Sequence, residues 1–186
     1  MEGLVSYLDG LKGNEFVVLA CTYGTGRAIP AAGIAAEAAN KGMKSVFYTM
    51  ELSEKVLREK LDKTLTTQEQ KPEITVVDGA GMKTDEIIKD MQTKTDVKLF
   101  VIDYFSLFAS EKITNERFEI CAELKKLMMQ KNAILLCSQN LHRDVTDLHN
   151  TEAILDSLKR NGIDVGLVDR ILVNNGNGID NLTIMQ

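Results

Sequence analysis

Seven short apolar runs divide the chain: FVVLAC (16–21), KSVFYT (44–49), EITVVD (73–78), KLFVID (98–103), AILLCS (133–138), RILVN (170–174) and NLTIM (181–185). Several are apolar at nearly every position instead of at every second one. A strand with one wet face alternates, so a strand without alternation is covered on both faces. Between the runs lie segments with helical spacing, at 27–41, 54–63, 84–93, 115–131 and 152–160. Strands and helices that alternate in this way pack as a mainly parallel α/β sheet, flanked by helices and joined by right-handed crossovers. The last two runs are linked by NGNGID, a hairpin-type turn, so the C-terminal end of the sheet is predicted to be antiparallel. No internal repeat, low-complexity stretch or linker interrupts residues 1–186, and only Pro30 and Pro72 punctuate them, which predicts a single domain.

The composition excludes several classes of function. A hydrophobic content of 44% and a charged content of 26% are those of an ordinary globular protein. No apolar run approaches the roughly 20 residues that span a bilayer, and the N-terminal MEGLVSYLDGLKG lacks the basic-then-apolar order of a secretory signal. The net charge of −5, with 22 scattered Lys and Arg, argues against strong nucleic-acid binding by this chain alone. Cys21, Cys121 and Cys137 sit inside apolar runs with no C-x-x-C spacing, which predicts buried free thiols in a reducing, cytoplasmic setting.

Four places carry candidate chemistry. EFVVLACTYGTGRAIPAAG reads as strand, glycine loop and alanine-rich helix, the layout of a phosphate-binding loop. In G-x-x-x-x-G-K-[ST], backbone N–H groups wrap the phosphates, the Lys reaches their oxygens and the hydroxyl holds Mg²⁺. Here the corresponding residues run from Cys21 through Thr22, Tyr23, Gly24, Thr25 and Gly26 to Arg27 and Ala28. Pro30 falls in the first helical turn, where its missing N–H is tolerated. Asp103 ends an apolar strand, where a Mg²⁺-ordering carboxylate of an α/β nucleotide site sits. Glu51 follows another strand, just before Ser53 as a helix N-cap, where it would polarise an attacking water. Gln139 ends the strand AILLCSQ, where it would sense a terminal phosphate.

In this order the residues resemble one family, the RecA-fold C-terminal ATPase domain of DnaB-type (superfamily 4) replicative DNA helicases. The resemblance covers nearly the whole chain. LDGLKGNEFVVLACTYGTGR is similar to the family's G-L-x-x-G-[DE] approach to the phosphate loop. FYTMELS resembles F-S-L-E-M-S, which implies Glu51 as the catalytic glutamate. PEITVVDGAGMKTDEI resembles the segment that leads to the Walker B strand. VIDYFSLF resembles V-I-D-Y-L-Q-L and implies Asp103 as the metal-site aspartate, while LLCSQNLHRDV resembles S-Q-L-N-R and implies Gln139 as the sensor. VNNGNGIDNLTIMQ resembles K-x-R-N-G-P-T-G and the last strand. The implied nucleotide contacts are Thr22, Gly24, Thr25, Gly26, Arg27 and Ala28, with Asp103 as the Mg²⁺ residue and Arg143 as a weak DNA contact.

The departures fall on the working residues. Arg27 and Ala28 stand where the family has Lys and a hydroxyl residue, and Gly176 and Asn174 fall on its inter-subunit arginine finger and the neighbouring basic residue. The loop after Gln139 carries Arg143, His142 and His149 among Asp144, Asp147, Glu152 and Asp156, and we read the two histidines as loop residues, not metal ligands. The family's N-terminal domain and linker helix have no counterpart in these residues, so the chain is expected to be a monomer or weak dimer by itself. Three readings stand. The leading one is a DnaB-like domain with weak or absent binding of ATP and Mg²⁺ and deficient hydrolysis. It would act in DNA replication as a regulatory or structural subunit, with a replicative helicase, a helicase loader or another replication protein as partner and weak or no binding to single-stranded DNA. The others are an active ATP-dependent DNA helicase that uses Arg27, and a RecA-fold regulator of recombination or signalling.

Overall fold

A computed structural model describes residues 13–64, 73–174, 176 and 182–185. Seven strands form one sheet: β1 Phe16–Cys21, β2 Ser45–Thr49, β3 Ile74–Asp78, β4 Leu99–Asp103, β5 Ile134–Asn140, β6 Arg170–Asn174 and β7 Leu182–Met185. Their spatial order is β3-β2-β4-β5-β1-β6-β7. The first six are parallel throughout, as the continuous apolar runs require. β7 lies antiparallel to β6, with Leu172 opposite Ile184. The NGNGID turn expected between them falls, apart from Gly176, outside the described residues.

The helices are α1 Ala28–Asn40, α2 Glu54–Thr64, α3 Thr84–Thr93, α4 Phe105–Phe108, α5 Thr114–Lys131 and α6 Thr151–Arg160. Five match the sequence-predicted segments; the one-turn α4 is not among them. Because successive side chains of a strand point to opposite faces, β1 divides its residues between two cores. Val17, Leu19 and Cys21 pack beneath Ala31, Ala32, Ile34 and Ala35 of α1 and Leu57 and Leu61 of α2. Phe16, Val18 and Ala20 face the other core, with Ile87 and Met91 of α3, Phe105 and Phe108 of α4, Cys121 and Leu124 of α5 and Ile154 and Leu158 of α6. The small alanines let α1 lie close over the sheet, so its N-terminus is held over the end of β1. Among the described residues no helix is long and apolar enough to cross a membrane.

This topology makes β4, β5 and β1 adjacent. Cys21, Asp103 and Gln139 therefore gather at the carboxyl ends of three neighbouring strands, where open α/β sheets bind ligands. Backbone hydrogen bonds lock the rim: Leu141 N–H donates to the Cys21 carbonyl and Met50 N–H to the Asp103 carbonyl, each at 2.8 Å.

Candidate functional site

The loop from Thr22 to Arg27 leaves β1 and turns into α1. Gly24 and Gly26 adopt φ of +87° and +78°, in the left-handed region, and a β-carbon at either would meet nothing within 4 Å. Backbone conformation, not crowding, is what selects glycine here. Thr25 fastens the loop by donating its Oγ1–H to the Thr22 carbonyl at 2.8 Å. Beneath the loop lies a cavity of about 500 Å³, lined by Gly24, Gly26, Arg27, Ala28, Glu51 and Asp103 together with Tyr23, Ile29, Leu52, Lys60, Tyr104 and Asn140. Residues that the sequence placed on three separate motifs thus share one cavity.

Arg27 organises it. Its Nη2 donates to Glu51 Oε2 at 2.5 Å. Its Nε lies 3.7 Å from Asp103 Oδ1, inside ion-pair range but beyond a hydrogen bond. The Nε atom is buried and has no acceptor among the described residues. The guanidinium also stacks on the Tyr104 ring, with its central carbon 3.8 Å from the ring centroid. The Arg27 side chain is only 11% exposed, that of Glu51 56%. Asp103 is 1% exposed, and its Oδ1 also accepts the Ser138 hydroxyl proton. Burial pushes the Asp103 carboxyl above the usual carboxylate range, opposed by the Ser138 hydrogen bond and the Arg27 charge and reinforced by Glu51.

Gln139 belongs to a neighbouring cavity of about 540 Å³, which shares Tyr23, Tyr104 and Asn140 with the first. Its Oε1 accepts from both the backbone N–H (3.0 Å) and the hydroxyl (2.8 Å) of Ser106. Its Nε2 donates to the Asn140 carbonyl at 3.1 Å. Gln139, the expected sensor, is therefore tied to Ser106 at the start of α4. Arg143 stacks on exposed Tyr23, 4.1 Å from the ring centroid, so the expected DNA contact lies against the phosphate-loop segment. His142 and His149 lie between β5 and α6. No group of three or more His, Cys, Asp or Glu able to hold a metal occurs among the described residues.

Gly176 is not placed as a finger that reaches outward. It packs against its own chain's phosphate loop: a β-carbon there would lie 2.6 Å from Thr25 Cγ2, and its φ is +108°. Asn174 is buried at the end of β6; its Nδ2 points to Cys21 Sγ at 3.9 Å and its Oδ1 accepts the Gly176 N–H at 3.1 Å. Burial pushes the Cys21 thiol up to about 12, partly countered by Asn174.

The motifs do not point to Tyr104, Ser106 or Asn140 as site residues. Tyr104 directly follows the Asp103 motif and Asn140 directly follows Gln139, so adjacency to a motif is the available signal. Ser138 stands out in the sequence only as Gln139's neighbour.

The sequence matches no protein-family model and no curated protein. Solved structures do match. One, solved as an ATPase domain, superposes with a TM-score of 0.69 at 17% identity, covering 91% of this chain and 73% of that one. A DnaB-like replicative helicase, solved in a study of its interactions with primase, superposes with a TM-score of 0.67 at 17% identity, covering 90% of this chain; the match spans about half (51%) of that helicase. The chain therefore has the RecA-like α/β fold that is found in the ATPase domain of a DnaB-like helicase.

Proposed function

We propose that this chain is a DnaB-like RecA domain that does not turn over nucleotide and acts in DNA replication as a regulatory or structural subunit. The observation that carries this reading is the Arg27 triad. The residue in the position of the phosphate-gripping Lys is committed to the two carboxylates that a working site would need free, Glu51 and Asp103. Arg is not interchangeable with Lys at such a place, because its planar fork pairs with carboxylates edge-on where Lys offers a compact point charge.

The donor set does not fit a bound Mg²⁺. Ala28 has no side-chain oxygen, and Asp103 Oδ1 is already engaged by Ser138 and faces Arg27. The glycine loop and the start of α1 keep backbone donors that suit a phosphate, so weak nucleotide binding is compatible with the site. Hydrolysis is not. Each charged hydrogen bond lost to the phosphates removes roughly 1.5–3 kcal/mol, and a missing arginine finger alone lowers the rate by about 10³–10⁵. Gly176 has no side chain to supply one. These contributions act on the same charge and do not simply add, but each points the same way.

A domain that keeps the shape of a motor without its drive can still occupy a motor's docking surfaces. The expected partners are a replicative helicase, a helicase loader or another replication protein. The test is to add the purified chain to an active DnaB-type helicase and follow unwinding of a forked DNA. A dose-dependent change in unwinding, retained by Glu51→Gln, supports the regulatory role. No association and no effect, with either the helicase or its loader, contradicts it.

A further inference from the structure

Resting on the reading above, we propose that the Arg27 guanidinium is the resident cation of this site: it stands between Glu51 and Asp103 where a divalent metal would, and it closes the carboxylate pair to Mg²⁺. Two carboxylates converging under a glycine loop need positive charge between them, since like charges at close range disfavour each other's ionised form. Here the loop brings that charge on its own side chain, with Nη2 on Glu51 at 2.5 Å and Nε 3.7 Å from Asp103.

Three further observations fit a permanent occupant. The guanidinium is always charged and weakly hydrated, so it tolerates a position that is 11% exposed far better than an ammonium group would. One of its faces is covered by Tyr104 at 3.8 Å, which fixes its plane. Its second approach is to the same Asp103 oxygen that Ser138 holds, so Asp103 is oriented without help from any ligand. A Mg²⁺ ion demands near-octahedral oxygen ligands. Ala28 supplies none, and a dication between these carboxylates would meet the guanidinium at ion-pair distance and be repelled.

The converse is the test: removing the resident cation creates a metal site. Mn²⁺ serves as the probe, with free Mn²⁺ followed by electron paramagnetic resonance on the unaltered chain, on Arg27→Met and on Arg27→Met with Asp103→Asn. No nucleotide or DNA is added. The unaltered chain is expected to leave Mn²⁺ free at millimolar concentration, and Arg27→Met to bind it at least about tenfold more tightly. The Asp103→Asn addition should abolish that gain. Thermal unfolding gives a second readout: Mn²⁺, the same probe, should raise the midpoint of Arg27→Met and leave that of the unaltered chain unmoved. Two results overturn the proposal. One is Mn²⁺ uptake by the unaltered chain that Asp103→Asn removes, which needs no folded Arg27 variant. The other is a folded Arg27→Met with no gain in metal affinity or metal-dependent stability. The first result would also remove the metal-exclusion ground of the non-turnover reading; the regulatory role itself is judged separately, by ATP turnover and by the effect on unwinding.

Discussion

Replacing Gly176 by alanine tests the packing of the last strand's approach against the phosphate loop. Two costs follow from the geometry. The residue holds φ at +108°, and a side chain kept in so sparsely populated a region costs about 1–3 kcal/mol. The new β-carbon would also lie 2.6 Å from Thr25 Cγ2 and 3.2 Å from Thr25 Cβ. Rotating Thr25 about χ1 would move Cγ2 away but not Cβ. It would also break the hydrogen bond from Thr25 Oγ1 to the Thr22 carbonyl at 2.8 Å, whose net worth is about 0.5–1.5 kcal/mol. The expected loss is about 3 kcal/mol in all, a fall in Tm of about 6–12 °C for a chain of this size. Thr25→Ser removes Cγ2 and keeps the hydroxyl. In the background of Gly176→Ala it should restore about 1 kcal/mol and leave the backbone cost, so a double-mutant cycle by urea denaturation should show coupling between the two positions. A loss within about 0.5 kcal/mol for Gly176→Ala, the range of a neutral surface change, or no coupling to Thr25, would refute the contact.

Three further outcomes are expected. Asp103 has its carboxyl raised in the fold above its unfolded value, so its contribution to stability is present at acid pH and is lost as pH rises through the folded value. Asp103→Asn should therefore flatten the fall in stability above the usual carboxylate range; a variant whose stability falls with pH as steeply as the parent's would contradict this. All three thiols are buried, with Cys21 and Cys121 pushed up to about 12 and Cys137 raised by complete burial; none should react with a disulfide reagent such as DTNB in the native chain, and all three should react in denaturant. Single-stranded DNA at about 0.15 M salt should bind weakly by fluorescence anisotropy, with a shallow salt dependence, and Arg143→Ala should change little; tight binding by the isolated chain would favour an active helicase.

The sheet was legible because both of its faces are covered. That burial writes itself into FVVLAC and KLFVID as unbroken apolar runs. The glycine loop was legible because Gly24 and Gly26 must take left-handed φ. The helix at 105–108 was not, since one turn inside an apolar stretch has no period to detect. Side-chain direction was also beyond reach. Nothing in SQN says that Gln139 turns to Ser106, because its partners are the N–H and hydroxyl at the start of that unseen turn. The replacement of Lys by Arg at position 27 was plain in the sequence. Its consequence, a guanidinium clamped by Glu51, Asp103 and Tyr104, depends on three strands and loops meeting in space. Gly176 looked like an absent finger, and its contact with Thr25 is a long-range packing fact that a local motif cannot carry.

The central claim is that a site which grips its own carboxylates does not run as a motor, and steady-state ATP hydrolysis by the purified chain with Mg²⁺ tests it most directly. The unaltered chain should turn over ATP at background. The double change Arg27→Lys, Ala28→Thr should release Glu51 and Asp103, restore a hydroxyl ligand and tighten ATP binding, yet leave hydrolysis slow because Gly176 supplies no finger. Robust Mg²⁺-dependent turnover by the unaltered chain, abolished by Glu51→Gln, would contradict the account and identify Arg27 as the working cation of an active ATPase.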